Sequence, residues 1–266
     1  MPATEATARA PFRDELAAIV REAGALAAST FRGTYKSWSK GGGSPVSDAD
    51  IAVDNFLRER LPRLLPGVGW LSEETEDDRA RLSSTRLWIV DPIDGTRAYV
   101  AGRTDWAVSV ALVEDGRPVA AAVFAPMEDG FYLALAGEGA TRDGAPIAAS
   151  NGAGFDQARV AGPKPLIERL AASEPGVVGE PKVHSLALRI ARIATGQLDI
   201  AFAGRNSHDW DLAAADLLVH EAGGALTTFD GQPLVYNRAD VTHGALVAAG
   251  GARHGRLIDI MRDARP

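Results

Sequence analysis

The sequence of 266 residues contains no cysteine. This absence excludes disulfide bonds, thiolate zinc sites, cysteine-ligated iron–sulfur clusters and a cysteine nucleophile. Any metal ion that the protein binds must therefore be held by oxygen or histidine ligands. A chain without cysteine fits a reducing compartment, and residues 1–15 lack the apolar run of a signal peptide, so we expect a cytoplasmic protein.

Long apolar runs and an excess of positive charge are missing as well. No apolar stretch approaches the roughly 20 residues that cross a bilayer, so we expect no membrane-spanning segment. The 28 Lys and Arg against 35 Asp and Glu give a net charge of −7, which argues against a nucleic-acid partner because binding to the phosphate backbone depends on basic residues. A small phosphorylated molecule stays compatible with this charge if a bound cation supplies positive charge locally.

Three well-known catalytic patterns are also absent. The five histidines show no zinc-binding spacing such as His-Glu-x-x-His. The glycine-rich stretch 40–45 lacks the Gly-Lys-Ser/Thr ending of a nucleotide P-loop, and we expect a flexible loop there. Ser207, His208 and Asp209 are consecutive and cannot form a catalytic triad, and no Gly-x-Ser-x-Gly elbow is present.

What the sequence does contain, in its first half, is a mixture of helical and strand patterns. Apolar residues at helical spacing predict a helix from Phe12 to just before Gly33 and a second helix over residues 47–65. Residues 107–125 predict an antiparallel hairpin around an Asp-Gly turn, and the sheet continues to a second turn at 142–144. These patterns indicate the α+β class.

The second half is less regular. Helices are predicted over residues 165–172, 185–195 and 210–222. The Gly- and Ala-rich segment 148–154 is the best internal boundary. We therefore expect an N-terminal α+β half, residues 1–150, and a C-terminal α/β half, residues 151–266.

The most informative stretch is residues 88–96, Trp-Ile-Val-Asp-Pro-Ile-Asp-Gly-Thr. Its apolar residues predict a buried strand that runs into Asp91, and Pro92 is expected to end the strand because proline cannot donate to the ladder. Asp94 follows, and a short helix is expected over residues 97–100. Two carboxylates at a strand end, beside the amides of a helix start, can hold a hard cation and a phosphate together.

This stretch resembles the metal-binding signature of the inositol monophosphatase superfamily, the lithium-sensitive, magnesium-dependent phosphatases. Three further segments match in order, at residues 44–50, 71–74 and 210–216. The resemblance runs from the first helix to the end of the chain. It implies a layered α-β-α-β-α sandwich of the inositol monophosphatase and fructose-1,6-bisphosphatase type.

The resemblance also implies a metal site that holds two or three Mg²⁺ ions. Oxygen ligands suit Mg²⁺, and carboxylates that converge without cations would repel one another. The ligands that the resemblance implies are the carboxylates of Glu73, Asp91, Asp94 and Asp211 and the backbone carbonyl of Ile93. For Asp209, in the same helix turn as the last of these, helix capping is the expected role.

Catalytic roles follow from the same resemblance. Glu73 is assigned to catalysis as well as to the metal. Asp48 is expected to accept a hydrogen bond from Thr96, so that the threonine can orient the attacking water. The residues alone leave a second interpretation open, because Ser47, Asp48 and Asp50 also match a helix-capping pattern.

Contacts to the substrate are implied on several elements. The residues assigned to them are Asp94, Gly95, Thr96, Ser185, Arg189 and Asp211. Two interpretations of Arg189 stay open, since it can bind a phosphate bidentately or simply face solvent on its helix. Arg205 and His208 are weaker candidates.

The substrate class is the least determined part. Segments 40–50, 71–74, 102–108 and 230–237 are most similar to the bacterial 3′(2′),5′-bisphosphate nucleotidases of the CysQ type. This similarity implies hydrolysis of adenosine 3′,5′-bisphosphate to AMP and phosphate by a metal-activated water. However, this branch commonly has a lysine where the chain has Arg189.

Three alternatives to the nucleotidase remain. An inositol-1-phosphate phosphatase and a histidinol-phosphate phosphatase belong to the same class of enzyme. A regulatory relative without turnover is disfavoured, because none of the implied metal ligands is missing. Members of the superfamily are often homodimers, so a homodimer is also an expectation.

Overall fold

The computed structural model describes residues 3–39 and 45–263. The loop predicted at residues 40–45 lies outside the described residues except for its last position. The α-helices are α1 (Ala3–Thr30), α2 (Asp48–Leu64), α3 (Thr96–Val100), α4 (Lys164–Ser173), α5 (Leu186–Ala194), α6 (Asp209–Glu221) and α7 (Gly251–Asp263).

The strands are concentrated between residues 69 and 147 and again between residues 159 and 250. They are β1 (Ser37–Ser39), β2 (Pro45–Ser47), β3 (Gly69–Ser72), β4 (Arg86–Asp94), β5 (Ala107–Glu114), β6 (Arg117–Ala125), β7 (Gly130–Leu135), β8 (Ala140–Arg142), β9 (Ala145–Ile147), β10 (Arg159–Ala161), β11 (Val178–Gly179), β12 (Ile200–Ala203), β13 (Ser207–His208), β14 (Gly224–Thr228), β15 (Thr242–His243) and β16 (Leu246–Gly250).

The larger sheet has the strand order β3-β4-β5-β6-β7-β8-β9, with β3 at one edge. Helices α1 and α2 pack on one face, and α5 and α6 pack on the other. In β4, Leu87 and Ile89 belong to the core beneath α5 and α6, whereas Trp88 and Val90 belong to the core beneath α1 and α2. Successive side chains of a strand point to opposite faces, so an uninterrupted apolar run suits a strand that is covered on both sides.

The smaller sheet has the order β11-β10-β12-β16-β14 and lies on the far side of α5 and α6. Its outer face is covered by α4 and α7 through a third core. The layers therefore run helices, sheet, helices, sheet, helices. This arrangement is the α-β-α-β-α sandwich that the sequence resemblance implied.

Helix α1 confirms the predicted periodicity. Its buried residues recur at helical spacing, and it ends before Gly33 as expected. The helix begins at Ala3, well before the predicted start at Phe12, because the Ala- and Glu-containing segment that precedes Phe12 favours helix.

The predicted hairpins are confirmed. Asp115 and Gly116 connect β5 to β6 with φ values of 49° and 76°, and Asp143 and Gly144 connect β8 to β9 with φ values of 53° and 82°. Positive φ at both central residues is the requirement of a type I′ hairpin turn, and Asp-Gly meets it with little strain.

Pro92 does not end β4, contrary to the sequence prediction. The strand runs through Pro92 to Asp94, and its register against β5 shifts on the way. Asp91 pairs with Ser109 and Asp94 with Ala107, so β4 contains one residue more than β5 between these pairs. A bulge tolerates proline because its extra residue need not donate to the ladder.

In the second half, the predicted helices correspond to α4, α5 and α6, and each end differs by one residue. The division of the chain at residues 148–154 stays a prediction. No helix in residues 3–39 and 45–263 combines the length and the apolar character that crossing a membrane requires.

Candidate active site

The bulge in β4 brings two carboxylates to the same face of the sheet. In a regular strand, residues separated by three positions point to opposite faces. The extra residue between Asp91 and Asp94 corrects this alternation, so both side chains face the layer of α5 and α6. The proline that was expected to end the strand thus lies in the irregularity that pairs the two acids.

Asp211 supplies a third carboxylate, from the first turn of α6. One oxygen of Asp91, one of Asp94 and one of Asp211 lie within 4.8 Å of one another. The Asp211 Oδ2 atom also accepts a hydrogen bond from the amide of His208 at 2.7 Å, which fixes the carboxylate against its own helix start. Acids far apart in the sequence therefore meet in one cluster.

Asp91 is the most unusual member of the cluster. It is 1% exposed, and neither of its carboxylate oxygens has a hydrogen-bond partner among the described residues. Burial, followed by the charges of Glu73, Asp94 and Asp211, raises the pKa of Asp91 well above its usual value. A buried carboxylate without a donor is costly, so this position fits a group that is compensated by a bound cation.

The start of α5 holds the carboxylate of Asp94 through two hydrogen bonds. Its Oδ2 atom accepts hydrogen bonds of 2.6 Å from the hydroxyl of Ser185 and 2.6 Å from the amide of Ala187. Burial and the charge of Asp211 raise the pKa of Asp94 to about 7, although the two hydrogen bonds act in the opposite direction. Ser185 is fully buried and also caps α5, so it positions Asp94.

Glu73 lies next to the cluster without joining the group of three. It follows β3, whose last residue pairs in parallel with Val90, and the Glu73 amide donates to the Val90 carbonyl at 3.3 Å. Among neighbouring charges, that of Glu73 contributes most to the raised pKa of Asp91, after burial. Its assignments as a metal ligand and as a catalytic residue stay predictions.

Thr96 bonds to Asp50, and the predicted bond to Asp48 is wrong. The Thr96 hydroxyl lies 2.9 Å from Asp50 Oδ1 and 3.0 Å from the carbonyl oxygen of Ile93. Asp50 also accepts hydrogen bonds from the amide and the hydroxyl of Ser47, at 2.8 and 2.6 Å. The capping interpretation therefore holds for Asp50, which caps α2 and binds Thr96 at once.

Asp48 points elsewhere for a geometric reason. Residues separated by two positions are about 200° apart around a helix, so Asp48 and Asp50 cannot face Thr96 together. Asp48 is exposed, and its carboxylate accepts a hydrogen bond of 3.1 Å from the amide of Lys36. It stabilises the start of α2 and the β1–β2 hairpin, outside the cluster.

Gly95 occupies a position that other residues would strain. Its φ is +94°, and a Cβ atom there would lie 3.1 Å from the Ser185 amide nitrogen and 3.3 Å from the Asp105 carbonyl oxygen. Glycine therefore permits the close approach of α3 to the start of α5. The assignment of the Gly95 and Thr96 amides to phosphate binding stays a prediction.

The structure contradicts the solvent-facing interpretation of Arg189. The residue is 8% exposed, so it does not face solvent. Its guanidinium donates to the carbonyl of Val183 at 2.7 and 3.2 Å and to that of Phe202 at 3.0 Å. These bonds fix the start of α5 against β12. The assignment of Arg189 to phosphate binding stays a prediction.

Sequence reasoning missed the contact that fixes the start of α5. The Asp105 Oδ2 atom lies 2.6 Å from His184 Nδ1 and 2.8 Å from the His184 amide. Burial acts to raise the pKa of Asp105, but the hydrogen bonds from His184 outweigh it and lower that pKa. Asp105 lies in segment 102–108, which the sequence similarity had singled out. That similarity did not indicate that Asp105 contacts His184.

The residues around Asp211 also differ from expectation. Asp209 does not cap α6, because its carboxylate bonds to the amide of Asn237 and the ring of His243. The ring of His208 stacks on that of Trp210 at 4.6 Å. Its Nδ1 atom lies 3.8 Å from Asp211 Oδ2, and this nearby carboxylate raises the pKa of His208. Arg205 is exposed on the loop before them.

The acidic cluster fits a magnesium site on its chemistry. Its donors are carboxylate oxygens, which Mg²⁺ prefers, and the Asp91 oxygens lie buried without a hydrogen-bond donor among the described residues. A divalent cation would neutralise the repulsion that raises the pKa values of Asp91 and Asp94.

Comparison with known proteins gives a consistent result. The sequence model described as "Inositol monophosphatase family" matches residues 9–265. A histidinol-phosphatase of Mycobacterium tuberculosis is 35% identical over 226 residues, covering 81% of this chain and 84% of the relative. An inositol-1-monophosphatase of Rhizobium meliloti is 36% identical over 201 residues, covering 72% and 75%. A 3′-phosphoadenosine 5′-phosphate phosphatase of Mycobacterium leprae is 34% identical over 210 residues, covering 72% of each chain.

A solved structure agrees in architecture. The extragenic suppressor protein suhB of Bartonella henselae superimposes with a TM-score of 0.83 and 24% sequence identity, covering 95% of this chain and 98% of that chain. At this identity the likeness concerns the fold. It confirms the layered sandwich that the sequence predicted.

Proposed function

Because the chain belongs to the inositol monophosphatase family and is a phosphoric monoester hydrolase, we propose that it hydrolyses a small phosphorylated metabolite with the help of Mg²⁺ held by the acidic cluster. The observation that carries the proposal is the buried carboxylate of Asp91. It has no hydrogen-bond donor among the described residues, and it lies beside two further carboxylates.

The proposed metal ligands are Asp91, Asp94 and Asp211, together with Glu73 and the Ile93 carbonyl. When bound, Mg²⁺ supplies positive charge to the phosphate and lowers the pKa of water. Asp91 is central because every other acid of the cluster raises its pKa. Asp94 is held in place by α5 through two short hydrogen bonds.

Thr96 and Asp50 are proposed to orient the attacking water. A hydroxyl has one proton, and a charged acceptor makes a stronger hydrogen bond than a carbonyl does. Thr96 therefore donates to Asp50, at 2.9 Å, and keeps a lone pair to accept a hydrogen bond from water. Asp50 takes the role that the sequence had assigned to Asp48.

The proposed substrate is a 3′(2′),5′-bisphosphate nucleotide such as adenosine 3′,5′-bisphosphate. Support comes from the four matching segments of the sequence and from the relative of M. leprae. Arg189 is buried and bonded to backbone carbonyls, so its contacts in the structure add no support for this substrate. The support thus rests on sequence similarity more than on a particular contact.

Histidinol phosphate is the second candidate. The histidinol-phosphatase of M. tuberculosis covers more of both chains than the M. leprae relative does, at similar identity. Inositol 1-phosphate is the third candidate, because the inositol-1-monophosphatase of R. meliloti is 36% identical to this chain.

The decisive experiment measures phosphate release, with and without Mg²⁺, from adenosine 3′,5′-bisphosphate, histidinol phosphate, inositol 1-phosphate and fructose 1,6-bisphosphate. We expect release only with Mg²⁺, inhibition by lithium, and the highest kcat/KM for adenosine 3′,5′-bisphosphate. A higher kcat/KM for another ester would replace the proposed substrate, and release that does not depend on a divalent cation would contradict the proposed mechanism. The homodimer and the cytoplasmic location stay predictions.

A further inference from the structure

A chain of polar contacts, separate from the acidic cluster, joins the segment that follows Glu73 to the start of α6. Its members are the side chains of Asp77, Arg81, Asn237, Asp209 and His243. We refer to these five residues as the polar bridge.

Arg81 is the first link. It is 2% exposed, and its Nε and Nη2 atoms donate to both oxygens of Asp77, at 3.0 and 2.7 Å. Its Nη1 atom donates to Asn237 Oδ1 at 2.8 Å. Burying a guanidinium is costly unless it is paired and hydrogen-bonded, so this side chain is fixed in one geometry.

Asn237 is the second link and contacts both sides. Its side-chain amide donates to the carbonyls of Arg81 and Ser84, at 3.1 and 3.3 Å. Its backbone amide donates to Asp209 Oδ2 at 3.0 Å. Asn237 also ends the segment 230–237, which matched the nucleotidases in sequence and to which the proposed mechanism gives no role.

Asp209 is the third link and lies in the first turn of α6. It is fully buried, and its second oxygen lies 2.7 Å from His243 Nε2. His243 belongs to β15, which pairs with β13 directly before the helix. The first turn of α6, which carries Asp211, is thereby fixed to the polar bridge.

The segment after Glu73 needs such a contact. It follows β3, the edge strand of the larger sheet, so no further strand supports it on that side. Asp54 holds its beginning through Ser72 and Thr75, at 2.5 and 2.9 Å. The polar bridge holds its far end against α6.

We propose that Arg81 and Asn237 are positioning residues, which through the polar bridge set the placement of the Glu73 segment relative to the turn of α6 that carries Asp211. The inference rests on the proposed function, since it takes Glu73 and Asp211 to serve the same cation site. No member of the polar bridge belongs to the acidic cluster. The polar bridge acts on the geometry of the residues that do.

The test is the binding of Mg²⁺ alone, measured by isothermal titration calorimetry on the metal-free protein without substrate. Arg81→Lys keeps the charge but lacks the planar fork whose three nitrogens bond both Asp77 oxygens and Asn237. We expect it to raise the Kd for Mg²⁺ about 10-fold, the scale typical for residues that support metal ligands. Asn237→Ala breaks the same link at a half-buried position and is expected to act in the same direction.

Arg253→Lys is the matched control. Arg253 is also buried, at 5% exposure, and donates to the Gly154 carbonyl at 2.8 Å and the Ser150 hydroxyl at 2.9 Å, away from the cluster. We expect this variant to lose stability and to keep the Mg²⁺ affinity of the wild type.

The outcomes separate the inference from the proposed function. A raised Kd in the Arg81 and Asn237 variants, with the wild-type Kd in Arg253→Lys, supports the inference. The inference is overturned if all variants keep the wild-type Kd for Mg²⁺, or if the control Arg253→Lys loses as much Mg²⁺ affinity as the other two. Either result leaves the proposed function intact. If Arg81→Lys does not fold, Asn237→Ala decides in the same way. A wild type that neither binds Mg²⁺ nor releases phosphate with it overturns the proposed function and the inference together.

Discussion

Asp91, near the end of β4, and Asp209, at the start of α6, are buried to the same degree, at 1% and 0% exposure. Their surroundings are opposite. Asp209 accepts a hydrogen bond of 3.0 Å from the Asn237 amide and lies 2.7 Å from the His243 ring. Asp91 accepts none from the described residues and faces other carboxylates.

The difference separates structural carboxylates from functional ones. Buried polar groups in folded proteins are normally hydrogen-bonded, and Asp209 follows this rule. A buried carboxylate without donors and next to like charges lowers the stability of the fold, so its presence requires another cause. At Asp91 that cause is the proposed cation, and burial alone would not have distinguished the two acids.

The largest expected effect comes from Asp91→Asn. The amide cannot replace a charged metal ligand, so turnover should fall by more than the roughly 100-fold that loss of a residue supporting a metal ligand costs. The same change removes a buried charge, so the metal-free protein should unfold at a higher temperature. Phosphate release and the Tm in EDTA measure the two effects, and full activity in the variant would refute the role of Asp91.

Asp50→Asn is expected to have the next largest effect. It weakens the acceptor that orients Thr96, and misplacement of a positioned group by about 1 Å can cost about 100-fold in rate. Asp48→Asn is the matched control on the same helix turn and should leave kcat unchanged. Equal losses in both variants, measured on folded protein, would contradict the assignment to Asp50.

Asp209→Asn is expected to destabilise the metal-free protein, whereas Asp91→Asn is expected to stabilise it. The carboxamide offers one acceptor where the carboxylate offers two, so a buried donor loses its partner and the free energy of unfolding should fall by about 1–3 kcal/mol. Urea unfolding of the metal-free protein measures this change beside that of Asp91→Asn. If both variants shifted stability in the same direction, the contrast between the two acids would be lost.

The smallest expected effect concerns pH. The pKa of Asp94 is about 7 in the folded protein against an ordinary value of 3.8, so the folded state binds its proton more tightly. The stability that the protonated Asp94 contributes is therefore fully present below about pH 4 and is lost as pH rises towards 7. We expect the Tm in EDTA to fall by a few degrees over this range. A Tm that stays constant or rises between pH 4 and pH 7 would argue against the raised pKa of Asp94.

The sequence predicted the fold well where the pattern is local. The buried run of β4, the Asp-Gly hairpins and the core face of α1 follow from periodicity and turn chemistry. Pro92 was misjudged because a bulge is set by the pairing with β5, which the sequence does not display.

The sequence predicted which acids form the cluster, but it did not predict which hydrogen bonds the neighbouring residues make. Asp91 and Asp94 come from one short motif, and Asp211 from a second. Choosing between Asp48 and Asp50 requires the direction in which α2 faces Thr96, which depends on packing.

Contacts between distant segments were not predictable. The carbonyls that bind Arg189 belong to Val183 and Phe202, and the polar bridge combines segments from both halves of the chain. Neither set of contacts leaves a pattern in the sequence, because each depends on how separate elements pack.

Thermal unfolding of the wild type and of Asp91→Asn, each in EDTA and in saturating Mg²⁺, tests the central claim most directly. The account predicts that Mg²⁺ raises the Tm of the wild type and leaves that of the variant unchanged, while in EDTA the variant is the more stable of the two. An equal rise in both proteins, or no rise in the wild type, would contradict it.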